Sequence, residues 1–261
     1  MPETVYVELK RQIATVLLNR PETFNAFDFD MVELFANRLT ALAADNSVRG
    51  IVISGAGKAF CAGGDLRWAR NFPQGPSSAF HTLASRFHQA VLEIRRMSKP
   101  VVAGINGIAA GGGFSLALAC DFRVMDKSAV LRQAYTANGL SIDGGGTFTL
   151  PRLVGLARAL EIAAFDKPIS SEQALAWGLT TKIVEDGRSL EEAVEMAYEL
   201  ASGSLNSFGW SKQLLTDSFN MAFEAQVERE RAALRSCAAH ADGKEGLQAF
   251  AEKRKPVFDV K

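Results

Sequence analysis

The chain has 261 residues, 48% of them hydrophobic, and its 29 basic and 29 acidic residues cancel. That is enough apolar sequence for a buried core in one large domain, or in one domain with an appendage. The absence of any Lys/Arg block argues against nucleic-acid binding, and no run of about 18 apolar residues argues for a membrane span.

The first residues, MPETVYVELK, show no basic segment followed by an apolar run, which disfavours secretion and points to a cytoplasmic protein. Cys61, Cys120 and Cys237 are odd in number and far apart, as expected of reduced thiols rather than of a disulfide framework. With His81, His88 and His240 they make no ligand-spaced cluster, so no metal is expected.

TVYVEL and IATVLL flank the polar turn Lys10 to Gln12 and read as a β-hairpin. From Asp28 to Ala44, apolar residues recur at helical spacing (Met31, Leu34, Phe35, Leu39, Leu42), with Asp28 as N-cap. GIVISG follows as a buried strand, then a glycine-rich loop, then an exposed, Pro-containing segment around NFPQGPSS. Phe80 to Met97 reads as a helix that Lys99-Pro100 closes before the strand VVAGIN. Strand, glycine loop and helix recur in GIAAGGGFSLALACDFRVM. This alternation predicts an α/β core of parallel strands with crossover helices. Beyond Pro151 the pattern turns helical, with one short strand, TKIVE, and a long helical run from Ser207 to Leu234. The expected organisation is a core over residues 1–200 and a helical region over 201–261.

Two glycine loops carry the first chemical signal. In GAGKAFCAGGDL, Phe60 stands where a dinucleotide fingerprint has its third glycine, and Lys58 is not followed by the Ser/Thr of a phosphate loop. What remains are Gly63 and Gly64, which allow another group to approach backbone N–H donors without a Cβ in the way. Gly111 to Gly113 open directly onto the apolar helix FSLALAC, whose N-terminus leaves N–H groups unpaired and favours an anion or carbonyl oxygen. Each loop alone also reads as close helix–sheet packing; two meeting around one oxygen would form a main-chain oxyanion hole. Asp143, in GLSIDGGGTFTL, reads either as a turn residue before glycines or as an acid placed among small and apolar neighbours.

NRPETFNAF, GAGKAFCAGGDL, KPVVAGINGIAAGGGFSLALACDFRV, TFTLPRLVGLARALEI and the terminal AFAEKRKPVF together resemble the enoyl-CoA hydratase/isomerase (crotonase) superfamily, from about Val5 to Phe258. The resemblance implies a crotonase-like α/β spiral of βαβ units carrying an acyl-CoA site, with a C-terminal helical trimerisation region assembling trimers or dimers of trimers. It puts the oxyanion-hole donors on Gly64 and Gly112. It puts contacts to the coenzyme A thioester near Glu22 to Phe24 and on Lys58, Ala62, Gly63, Asp65, Leu66 and Tyr135, with Phe250 and Lys253 supplied by a neighbouring subunit. No cofactor is implied, since coenzyme A belongs to the substrate.

The departures from the family pattern are as informative. The two glutamates with which the family's hydratases activate water are replaced by Ser115 and Tyr135, neither ionised near neutral pH. Asp143 matches the acid/base of a subgroup resembling the ring-opening isomerases of phenylacetate breakdown, where one carboxylate moves a proton between C2 and C4. Members that use this Asp as a nucleophile on aryl halides carry a His and a Trp where this chain has Leu92 and Tyr135. The implied activity is therefore double-bond isomerisation, with hydration or non-catalytic acyl-CoA binding as alternatives. Trp68, Phe72, Phe80, Phe87 and Met97 are candidates for an acyl pocket, though their helical spacing equally describes core.

Overall fold

The hairpin of β1 (Val5–Lys10) and β2 (Ile13–Leu18) is antiparallel, with Val5 opposite Leu18 and Lys10 opposite Ile13. The structure, a computed structural model, describes residues 3–258. Helix α1 (Phe29–Ala44) starts where Asp28 caps it, its carboxylate accepting the Met31 N–H at 2.9 Å.

From there the chain winds as a spiral between two sheets. The first turn lays β3 (Gly50–Gly55) in one sheet and β4 (Ala59–Cys61) in the other, then returns through α2 (Leu66–Arg70) and α3 (Gly75–Arg96). The second repeats this with β5 (Val101–Ile105), β6 (Ile108–Ala110) and α4 (Gly112–Ala119). The third places β7 (Phe122–Asp126) and β8 (Val130–Arg132), and continues through α5 (Gly146–Val154), α6 (Leu156–Phe165), β9 (Ile169–Ser170) and α7 (Ser171–Ala176) to β10 (Lys182–Val184). The large sheet has the order β1-β2-β3-β5-β7-β10, parallel from β2 onward, and the small one β4-β6-β8-β9. Helices α8 (Ser189–Ala201), α9 (Leu205–Asp217), α10 (Phe223–Ala239) and α11 (Ala241–Ala251) complete the chain. This is the expected α/β spiral followed by C-terminal helices.

Both faces of β3 and β5, in the middle of the large sheet, are covered, which is why these strands read as unbroken apolar runs. Ile51, Ile53, Val101, Ala103 and Ile105 point into the main core with α1, α3 and α4, while Val52, Val102 and Val124 point the other way onto Ala193, Ala197 and Ala201 of α8. The small α8 residues let that helix lie close: a Cβ on Gly104 would come within 3.1 Å of the Ser189 carbonyl. Each fully buried Ile or Phe of this core contributes about 1.5–3 kcal/mol.

Two expectations are corrected. Helix α3 begins at Gly75 rather than Phe80, because Pro76 sits in its first turn, where the missing N–H has no intrahelical acceptor to lose. The segment around NFPQGPSS is therefore partly helical. The run Ser207 to Leu234 is not continuous; a 3-10 turn, Ser218–Asn220, and the extended Met221 and Ala222 separate α9 from α10.

Candidate active site

The site grows from a strut that is polar but buried. Arg20 reaches Asp28 at 3.1 Å, Asp65 at 3.2 Å and the Ala26 carbonyl at 2.6 Å. Asn25, fully buried at φ 57°, donates its amide to the carbonyls of Ala56 and Ala59 at 3.0 and 2.8 Å. This ties residues 24–28 alongside 61–65: Ala62 N–H donates to Phe24, Phe27 N–H to Gly63, and Asp65 N–H to Phe27. In that parallel bridge the N–H of Gly64 points away from the ladder and no acceptor among the described residues takes it.

The second loop meets the first. Gly111 turns at φ 52°, and Gly112 is the first residue of α4, so its N–H has no partner within the helix. The two loops touch through Gly63, where an added Cβ would stand 2.8 Å from the Gly112 nitrogen, at a φ of 93° that favours glycine. Gly113 is equally constrained, since its Cβ would lie 2.0 Å from the Cys61 carbonyl. Gly64 and Gly112 differ. Their nearest neighbours to an added Cβ stand at 3.4 Å (Leu83) and 3.5 Å (Gly63), ordinary contact, and neither needs a positive φ. Packing therefore explains Gly63 and Gly113, but not the two glycines whose N–H groups are unpaired.

A wall of α3 joins these donors to Asp143. Phe80 and Leu83 face Gly64, and Phe87 packs on Phe27 with ring centroids 5.4 Å apart. Phe87 also underlies Gly144, where a Cβ would come 2.2 Å from its ring at a φ of 62°. The glycines after Asp143 thus bring its backbone down onto α3. One helical position on, His88 Nε2 lies 2.6 Å from Asp143 Oδ1, with the two side chains 49% and 40% exposed. Ser115 of α4 is fully buried, and its Oγ lies 3.2 Å from the Tyr135 hydroxyl. Burial pushes the Tyr135 phenol well above its ordinary range; the Ser115 hydrogen bond opposes this and the Asp143 carboxylate adds to it. Tyr135 therefore stays a neutral phenol. The arrangement holds one carboxylate, a pair of neutral hydroxyls and two free main-chain donors.

The sequence pattern of the enoyl-CoA hydratase/isomerase family matches residues 8–261. The chain belongs to that family. It is 34% identical to the 1,2-epoxyphenylacetyl-CoA isomerase of Escherichia coli (strain K12), covering 100% of both chains. It is 32% identical to the crotonyl-CoA hydratase of Syntrophomonas wolfei subsp. wolfei over 98% of each. An enoyl-CoA hydratase of Bacillus anthracis superposes with a TM-score of 0.92 at 31% identity, covering 99% of this chain and 100% of that one.

The other expected contacts of this enoyl-CoA hydratase/isomerase family member divide into three groups. Phe24, Lys58 and Leu66 are exposed near the rim of the first loop, with Ala62 and Gly63 beside them. Asp65 is engaged structurally: it caps α2 through the Arg67 and Trp68 N–H groups and pairs with Arg20. Phe250, 85% exposed, and Lys253 lie at the end of α11, which packs on α10, and no hydrogen bond or ion pair links them to the glycine loops. Their segment is tied back through Glu245, which accepts from Arg254 and from the Val257 N–H; the Arg254 hydrogen bonds hold the Glu245 carboxyl down at about 2. Among the acyl-pocket candidates, Phe80 and the core residue Phe87 wall the site, Met97 belongs to the core, and Trp68 packs against both the core and Phe72.

His88 was missed by sequence reasoning, which weighed it only as a metal ligand and looked to position 92 for a catalytic histidine. The signal was present: Phe80, Ala84 and His88 recur every four residues, so the face of α3 that walls the site carries His88 one turn before Leu92.

Proposed function

We propose that the protein is an enoyl-CoA isomerase that shifts a double bond by proton transfer through Asp143. The observation that carries this reading is one available carboxylate in a site whose other two candidate positions hold the neutral Ser115–Tyr135 pair. Two-carboxylate activation of water has no second carboxylate here, whereas a proton shuttle needs one.

In this mechanism the thioester oxygen of a 3-enoyl-CoA accepts the N–H groups of Gly64 and Gly112. Asp143 takes the C2 proton, the C2–H electron pair forms the C1–C2 double bond, and the carbonyl pair moves onto oxygen. Each main-chain donor stabilises that charge by about 2.7–4 kcal/mol. The oxygen pair then re-forms the carbonyl, the double bond moves to C2–C3, and the C3–C4 pair takes the proton from Asp143 at C4. Phe250 and Lys253 would complete the coenzyme A site from a neighbouring subunit of a trimer or hexamer; Lys253 meets a phosphate, and the exposed Phe223, Leu234 and Leu247 are covered.

Incubation with 3-enoyl-CoA and 2-enoyl-CoA in deuterated water, followed by mass spectrometry, tests the reading. Isomerisation with deuterium at C2 and C4 and no addition of water is expected. Net hydration without exchange overturns it in favour of a hydratase, and binding without either in favour of a non-catalytic acyl-CoA binder. A monomer in light scattering that binds coenzyme A normally overturns the shared site.

A further inference from the structure

The proton-shuttle reading leaves His88 without a role, yet His88 makes the one side-chain hydrogen bond to the Asp143 carboxylate found among the described residues, at 2.6 Å. We infer that His88 is the positioning residue of the shuttle: its Nε2–H holds Asp143 Oδ1, fixes the carboxylate plane, and leaves Oδ2 as the oxygen that takes the C2 proton. This inference rests on Asp143 being the shuttle.

Three observations support it. The contact joins residues 55 positions apart on elements that are independently held. Gly144 and Gly145 at φ 62° and 75° set the turn, and Phe87, adjacent to His88, is buried under Gly144. A carboxylate 40% exposed on a glycine turn has several accessible rotamers, and one directional donor selects among them. Finally, no competing charge makes the contact. Arg86 of α3 pairs with Glu33 of α1 at 3.4 Å, Arg95 of α3 pairs with Asp217 of α9 at 3.5 Å, and Lys212 of α9 pairs with Asp121 after α4 at 2.7 Å. The exposed Arg67 and Arg70 lie on α2, and Tyr135 faces Asp143 as a neutral phenol.

The chemistry of the pair has a direction. A neutral imidazole that donates through Nε2–H carries its lone pair on Nδ1, away from the bond to Asp143. With Oδ1 occupied by this donor, the lone pairs of Oδ2 stay free for the C2 proton. No proton passes from His88 to substrate; Asp143 alone exchanges protons with C2 and C4, and the proton it holds between the two transfers exchanges with solvent, which is how deuterium enters both carbons.

The test measures kcat, KM and C2 exchange with an enoyl-CoA for the wild type, His88→Leu, His88→Gln and Asp143→Asn. Gln keeps an Nε2 donor, whereas Leu removes it. For His88→Leu we expect a loss of about tenfold to a hundredfold in kcat, the scale of a misplaced catalytic group, with KM little changed. His88→Gln should recover most of that loss, because it restores the donor. Wild-type kcat in a folded His88→Leu protein, a Gln variant no better than Leu, or a loss that falls on KM rather than kcat would each overturn the inference. Asp143→Asn separates the two readings: if it is inactive while the His88 variants behave as wild type, only the role of His88 falls. If Asp143→Asn exchanges C2 at the wild-type rate, the shuttle itself falls.

Discussion

The two halves of the site are built from different materials. The Gly63–Gly64 and Gly111–Gly113 half is main chain, immobilised by buried partners: the Asn25 amide, the Cys61 thiol that donates to the Asn25 carbonyl at 3.1 Å, and backbone packed too closely for a Cβ. The His88–Asp143 half is side chain, about half exposed, on a turn shaped by glycines. Donors that stabilise charge must be in place before the charge forms, so rigidity serves them. A group that picks up a proton at one carbon and delivers it to another needs a lone pair, room and a defined direction.

The largest expected effect is on the side-chain half. Asp143→Asn keeps the size and most turn hydrogen bonding, so stability should change by at most about 1 kcal/mol, as for loss of a capping side chain. Exchange at C2 and double-bond migration should both fall by about 10²–10⁴-fold, the range of a positioned acid–base group. Retained activity together with an inactive Ser115→Ala or Tyr135→Phe would move the chemistry to the hydroxyl pair.

Within the main-chain half, neighbouring glycines should fail differently. Gly112→Val, where a Cβ meets only ordinary contacts, should leave a folded protein whose turnover falls by about a hundredfold or more. Gly113→Ala puts a methyl 2.0 Å from the Cys61 carbonyl and should instead cost stability, about 1–3 kcal/mol or more by overpacking, seen as a lower Tm. Similar stability losses in both variants would remove the distinction between donor and packing glycines.

Ser115→Ala and Tyr135→Phe should each change kcat by less than about tenfold, below the range of an acid–base group, because neither supplies a base. The smallest perturbation probes rigidity itself. Burial pushes the Cys61 and Cys120 thiols up to about 12, so almost no thiolate is present at neutral pH, and only local opening exposes them. A thiol reagent should modify Cys237 promptly and leave the other two intact in the native protein. Fast modification of Cys61 would mean that the main-chain half opens readily.

Much of this was legible in the residues. Strands buried on both faces must be apolar throughout, so GIVISG and VVAGIN announce the large sheet, and Asp28 ahead of a periodic run announces α1. Glycine doublets and triplets mark where backbone comes close to backbone, and Ser115 and Tyr135 declare the loss of two carboxylates by identity alone. Other features carry no local signature. Strands β4, β8 and β9, of two or three residues, are too short to show a period, so the second sheet and the spiral it creates emerge only from pairing. Sequence spacing names which glycines are special, but only packing separates those confined by a neighbour from those with an unpaired N–H. The meeting of His88 with Asp143 is likewise tertiary. Side-chain chemistry is written residue by residue, whereas a 2.6 Å contact between a helix and a turn 55 positions later depends on how the turn packs on Phe87 and Phe87 on Phe27.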